Sequence, residues 1–353
     1  MNIVGLDIGT TTIGGVLVDA ENMTLLDSKT IPNNASLKTP HPWENYQDPE
    51  AIWRTCQEML SHFVGLCPKI DAIGITGQMH GMLYVDKAGK AVSDLATWQD
   101  DRGSRVFESG ATYCEFLTSA TGYPMATGYG LTTHFYNIKN KLVPENAASF
   151  CTIADYIAMR LCLSNKPILH ASNAASFGVF DFNTGDFDHA ALESVGIQPQ
   201  LLPSVSSWEK IIGHAHGDIP VCIPIGDNQA SFLGSVDQRS NLLVNIGTGS
   251  QISLRVNQFF QGSSLTHRPY VAGSYLLVGS ALCGGSAYQY LRDLFSDIIK
   301  LVGIPPVDDL YVKTILVDNG PIRYWARFKG RLHVSRIRRR RCHITVVLDD
   351  NVD

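Results

Sequence analysis

Apolar positions in the first thirty residues fall into short runs broken by polar turns. Asn2–Leu6, Ile13–Val18 and Leu25–Thr30 are three such runs, and their length predicts successive β-strands. Asp48-Pro49 then opens a different rhythm, with Ile52, Cys56, Met59, Leu60 and Phe63 recurring at helical spacing. The Asp is suited to cap that helix and the Pro to its first position. Asp71–Thr76 has the pattern of a buried strand; another strand runs through Val85 to a turn at Asp86–Lys90. A three-strand meander, a helix and a strand make a mixed α/β layout.

The middle of the chain is richer in loops. Thr121–Gly130 holds four glycines and prolines and predicts no regular element. Phe150–Ile153 predicts a strand, Ala154–Leu163 a helix, and His170–Ser176 a small-residue polar loop. Val221–Ile225 predicts a strand that ends at Gly226-Asp227-Asn228-Gln229 and runs into a helix over Ala230–Ser235. The opening arrangement then returns: Asn241–Ile246 and Gln251–Val256 are strand-like runs on either side of Gly247-Thr248-Gly249-Ser250.

Two stretches in this layout can carry chemistry. The turn between the first two strands offers Gly9, Thr10, Thr11 and Thr12 beside Asp7. Backbone N–H groups and hydroxyls there can wrap a polyphosphate, with Asp7 near its Mg²⁺. The plainer reading is a Gly/Thr turn whose Asp satisfies its own backbone. The second Gly/Thr unit, Gly247–Gly249, suggests two related half-molecules that each present one phosphate loop to a cleft. Asp227, just past a buried strand, stands where α/β folds open into a cleft; it is either a candidate base or a helix N-cap.

Composition narrows the class. At 353 residues two domains are expected. No apolar run is long enough to span a bilayer and Met1 leads straight into a strand, so the expectation is a cytoplasmic protein with no membrane partner. Eight scattered cysteines without a CxxC pair favour free thiols over disulfides or zinc. The net charge of −5 is uneven: Pro321–Cys342 holds nine Lys/Arg and no Asp/Glu, whereas the first 320 residues hold 19 basic and 30 acidic groups. An acidic body joined to a basic tail is not one homogeneous domain. The run Arg338–Arg341 could contact nucleic-acid phosphates, but a solvated, disordered tail is the preferred reading.

The ordered set Asp7-Ile8-Gly9-Thr10-Thr11, Gly77-Gln78-Met79-His80-Gly81, Trp98-Gln99-Asp100-x-Arg102, Gly226-Asp227-Asn228-Gln229-Ala230 and Gly247-Thr248-Gly249 resembles the FGGY carbohydrate kinases over roughly residues 1–317. Gly77–Gly81 is shared with the xylulokinase branch. Thr97–Asp100, Ala126–Gly130 and Asn173–Gly178 are closer to the sedoheptulokinase branch. Asp101 stands where relatives usually carry glycine. From about Asp318 the resemblance stops, before the adenosine-binding stretch that the family would lead one to expect.

The resemblance implies an α/β, actin-like (ribonuclease H-like) ATPase fold. Its first, sugar-binding domain would occupy residues 1–238, and a partial nucleotide-binding domain 239–317, with 318–353 a basic tail outside the family. It implies phosphoryl transfer from ATP with Mg²⁺ to a terminal hydroxyl of a ketose, sedoheptulose first and xylulose second. Asp227 would be the base and Asp7 the metal ligand. Gly9, Thr10, Thr11 and Thr12 would face one side of the triphosphate, and Gly247, Thr248 and Gly249 the other. Gln78, Met79, His80, Trp98, Asp100, Arg102 and Asn228 would line the sugar site. His80 as a structural histidine and Trp98 as a core aromatic are the plainer alternatives. A sugar-binding fragment without turnover is the rival functional reading.

Overall fold

The computed structural model describes residues 1–206, 209–236, 241–246, 250–259, 265–281, 311–319, 323–329, 333–339 and 342–349. The chain forms two compact units, one of Met1–Asn245 with Gln251–Ser280 and one of Ile246–Ser250 with Ala281–Asp353. The first unit extends past residue 238, the boundary expected from the sequence.

In the first unit, strands Asn2–Ile8, Thr12–Asp19 and Thr24–Pro32 form the antiparallel meander expected from the apolar runs. Ala72–Gly77 lies parallel to the first strand, Val4 opposite Ile73 and Asp7 opposite Thr76. Ile219–Cys222 and Ile225–Gly226 add on the far side of Ala72–Gly77, also parallel to it. The seven-stranded sheet is completed by Ile211–Ala215 at its edge.

Alternation decides which face of the sheet is covered. Val4, Leu6 and Ile8, with Ile13 and Leu17 of the paired strand, are buried on one face. The helix Pro49–Leu66 packs there with its buried stripe of Ile52, Cys56, Met59 and Phe63. Asp48 caps this helix by accepting a hydrogen bond from the Glu50 N–H at 2.8 Å. Burial of each such side chain contributes about 1.5–3 kcal/mol. Gly15 lets the helix approach, because a Cβ there would stand 2.3 Å from the Met59 sulfur and 2.7 Å from the Phe63 ring. The opposite face carries Gly5, Gly14 and Gly74, and a cavity of about 850 Å³ opens over it.

The segment from Gln78 to Ser206 mixes short helices with short strands, and its buried aromatics include Phe135, Phe150, Tyr156 and Phe177. His170–Ser176, expected as a loop, contains the helix Ala171–Ser176. Its small residues are buried, so the polar composition reflects close packing rather than solvent exposure. A four-stranded sheet in the order Leu242–Ile246, Ser250–Val256, Tyr275–Ala281, Thr266–Pro269 follows. A small core of Phe232, Tyr270, Leu276 and Val278 forms in this part of the chain.

In the second unit, Tyr311–Asn319 pairs antiparallel with Cys342–Asp349, and Arg323–Lys329 with Arg339–His333. The disordered tail expected beyond residue 318 is therefore replaced by strands. Val312, Thr314, Ile315, Val317, Ile344, Thr345, Val346 and Val347 supply β-branched residues that favour extended pairing despite the arginines.

Candidate active site

Parallel strands direct their C-terminal ends to the same edge of a sheet, where ligands of open α/β folds bind. In this chain Asn2–Ile8, Ala72–Gly77 and Ile225–Gly226 run parallel, so Asp7, Gln78 and Asp227 come to one edge. The Gly9–Thr12 turn lies there as well. Gly9 is required by space: a Cβ on it would meet the Thr12 carbonyl at 2.8 Å.

Thr10 is fixed on two sides. Trp98 Nε1 donates to its Oγ1 at 2.9 Å, and that hydroxyl donates to Gln78 Oε1 at 3.2 Å. Gln78 Nε2 donates to Gln47 Oε1 at 2.8 Å, and Gln47 Nε2 donates to the Thr10 carbonyl at 2.9 Å. The loop also accepts a hydrogen bond at the Gly9 carbonyl from Asn33 Nδ2, at 2.9 Å. Gln78 and Trp98, expected at the sugar, thus hold the turn; Trp98 is 47% exposed and is no core aromatic. Gln47 and Asn33 carry no motif signal and were missed. Thr11 and Thr12 are exposed, and Gly247, Thr248 and Gly249 lie outside the described residues.

Asp227 is the first residue of the helix Asp227–Ser235, and Gly226 is its N-cap. The N-cap alternative for Asp227 is therefore set aside, and the helix starts three residues earlier than the small-residue run suggested. The side chain is open to water but crowded by protein at the sheet edge. That crowding, with the negative charge of Asp7, pushes its pKa up to about 6, against the opposing pull of the Asn228 N–H and Arg268. Asp7 is exposed at its strand end, accepts no hydrogen bond among the described residues, and has its own pKa raised by partial desolvation.

Beside Asp227, the Oδ1 of Asn228 is buried without a partner, an acceptor that a ligand hydroxyl would satisfy. Met79 is 5% exposed. A Cβ on Gly226 would meet its sulfur at 2.5 Å, so Met79 packs beneath the strand–helix junction that carries Asp227. His80 has φ of 72°, a strained value for a non-glycine residue. Its N–H donates to Ser176 Oγ at 3.1 Å, and its Nδ1 lies 2.7 Å from the Ser176 carbonyl. Burial pushes its pKa down to about 4. The ring is neutral at pH 7, with Nδ1–H donating to Ser176 by this geometry and Nε2 left as an acceptor. It stacks on Tyr129 at 4.7 Å and 3°.

Asp100 and Arg102, also expected at the sugar, are buried at 0% and 1% exposure and face each other. Arg102 donates through Nε to Asp100 Oδ1 at 2.6 Å and through Nη2 to Oδ2 at 3.0 Å. Nη1 donates to Asn137 Oδ1 at 2.6 Å and Nη2 to the Tyr46 hydroxyl at 2.5 Å. The Asn45 N–H donates to Asp100 Oδ2 at 3.0 Å. These two residues lock loops together; the family resemblance puts them at the sugar, but here their hydrogen bonds are spent within the protein.

Residues 2–234 match the model of the FGGY family of carbohydrate kinases, N-terminal domain, and residues 300–349 match that of ribosomal protein L22p/L17e. Sedoheptulokinase of Mus musculus is 29% identical over 323 residues, covering 80% of this chain and 66% of that protein. The ligand-bound xylulose kinase of Lactobacillus acidophilus superposes with a TM-score of 0.71 at 23% identity, over 82% of this chain and 62% of that one. Plasmodium falciparum glycerol kinase with ADP gives 0.70 at 19% identity, over 88% and 68%. The chain thus spans about two thirds of the length of these relatives, and its first unit has their actin-like fold. With Asp7, Gln78 and Asp227 at one sheet edge and the family model matched over most of the chain, the protein belongs to the FGGY family of carbohydrate kinases.

Proposed function

We propose that this chain transfers the γ-phosphoryl group of ATP to a terminal hydroxyl of a ketose, sedoheptulose before xylulose, with Asp227 as general base. The observation that carries this reading is the position of Asp227, water-accessible at the sheet edge, within the field of Asp7 and on the same edge as the Gly9–Thr12 turn. Phosphoryl transfer passes through a loose transition state, so positioning and charge neutralisation do most of the work. A pKa of about 6 leaves Asp227 ionised at pH 7 and able to accept the hydroxyl proton. The exposed, unpaired Asp7 suits Mg²⁺, which keeps most of its waters and takes one or two carboxylates plus substrate phosphates. When bound, the ion would neutralise charge on the phosphates. Thr10, held by Trp98, Gln78 and Gln47, orients the turn toward them, and His80 Nε2 and Asn228 Oδ1 accept from sugar hydroxyls.

Coupled ADP release with sedoheptulose, D-xylulose and glycerol tests this. The expected result is turnover on a ketose, falling on the order of 10²–10⁴-fold in Asp227→Asn. Equal rates for wild type and Asp227→Asn on every sugar would remove the base assignment.

A second reading is favoured by the match of residues 300–349 to a ribosomal protein model. That segment would be foreign to the kinase, and its nine basic residues between Pro321 and Cys342 would bind RNA phosphates. The first unit would then hold sugar without turnover. RNA affinity that falls steeply with salt, combined with sugar binding but no ADP release, would establish it.

A further inference from the structure

The residue best placed to read the acceptor beyond Asp227 is one that no motif marked. Arg268 lies on the strand Thr266–Pro269, which packs against the helix Ala171–Ser176. Three ties bring that strand to the site. Gln229 Nε2 donates to the Pro269 carbonyl at 3.0 Å, two residues after Asp227. Ser172 Oγ accepts from the Gly226 N–H at 3.1 Å. Ser176 at the other end of that helix holds His80, which stacks on Tyr129. Arg268 is half-buried, and its guanidinium makes no hydrogen bond or ion pair among the described residues. Five guanidinium donors in that setting need acceptors.

Elements sort the site into two sides. Asp7 and the Gly9–Thr12 turn close the first strand, whereas Arg268 sits on the strand packed against the helix whose Ser176 holds His80, itself stacked on Tyr129. Arg268 acts electrostatically on Asp227, His80 and Tyr129, in keeping with that placement. The first side is taken as the phosphate side of Asp227 and the second as the acceptor side. An oxygen attacking from Asp227 toward the phosphate side leaves the rest of its molecule on the Arg268 side. The Arg268 charge is already offset by Asp227, which suits a neutral polyhydroxy ligand better than an anion.

We propose that Arg268 is a sugar-binding and specificity-determining residue, its guanidinium donating to hydroxyls of a multi-carbon acceptor seated against the His80–Tyr129 stack. The assignment rests on the reading of the chain as a sugar kinase. It predicts discrimination by length: affinity for a ketose of five to seven carbons depends on Arg268 more than affinity for a three-carbon polyol does.

Calorimetric titration of the full chain with sedoheptulose, D-xylulose, glycerol and Mg·ADP tests it in wild type, Arg268→Gln and Arg268→Lys. Loss of a charged donor weakens binding at least about tenfold, so Arg268→Gln should lose that much for the ketoses while glycerol and Mg·ADP change by less than about twofold. Arg268→Lys should fall between, keeping the charge but not the fork, and it carries the comparison if circular dichroism shows Arg268→Gln misfolded. Equal losses for glycerol and ketoses, no loss for ketoses, or a loss confined to Mg·ADP would each overturn the assignment. A wild-type chain that binds none of the three sugars would instead defeat the sugar-kinase reading itself, and the Arg268 role with it.

Discussion

Asp7 and Asp227 meet at one edge of the central sheet, where burial first, and then the Asp7 charge, raises the pKa of Asp227. One residue ends the first strand and the other begins the Asp227–Ser235 helix, 220 positions apart in sequence. Bringing two acids together without a cation is unfavourable for the empty protein, and it leaves a site whose electrostatics improve when a metal–nucleotide complex arrives.

The raised pKa of Asp227, caused mainly by burial, sets a pH dependence of stability. The unfolded Asp227 loses its proton near 3.8, whereas the folded one holds it to about 6. Between those values the native state binds more protons, so stability falls as pH rises through the window and the loss persists above it. Asp227→Asn removes the effect. Thermal unfolding should show the variant melting above wild type at pH 7.5, with the gap closing toward pH 4. A gap that is constant with pH would refute it.

The Trp98–Thr10–Gln78–Gln47 chain predicts that loop support and sugar contact separate. Gln78→Ala removes the acceptor for Thr10 and the donor to Gln47. One of these hydrogen bonds is buried and the other part-buried, and such bonds are worth about 1 kcal/mol each. Urea denaturation should show a loss of about 2 kcal/mol, and Mg·ADP affinity should drop more than ketose affinity.

Arg102→Leu leaves Asp100 buried with its main cationic partner gone. Breaking one side of a buried pair costs about 3–5 kcal/mol, measurable as a lowered urea midpoint. Because both side chains are buried and paired with protein groups, the folded fraction of Arg102→Leu should bind ketose as wild type does.

Gly15→Ala tests the helix–sheet contact. The added methyl would collide with Met59 and Phe63, and overpacking of a tight core costs about 1–3 kcal/mol. The same exchange at Gly74, where a Cβ would meet nothing within 4 Å, should cost less by the same denaturation assay.

Local pattern alone determined the meander, the Pro49–Leu66 helix, the Ala72–Gly77 strand and the Gly/Thr turn, because strand alternation, helical spacing and capping are short-range properties. The motif order also named Asp7 and Asp227, which the fold brings to one sheet edge. Which polar side chains spend their hydrogen bonds inside the protein was decided only by the tertiary structure. Asp100 and Arg102 spend their hydrogen-bonding capacity on each other, Asn137 and Tyr46. Trp98 and Gln78 spend theirs on Thr10, and Met79 is packing. Arg268, silent in the sequence, is a candidate because its strand packs against the helix Ala171–Ser176 and is tied through Pro269 to Gln229. Contact between residues so far apart along the chain depends on how sheets and helices stack, and local sequence carries no record of it.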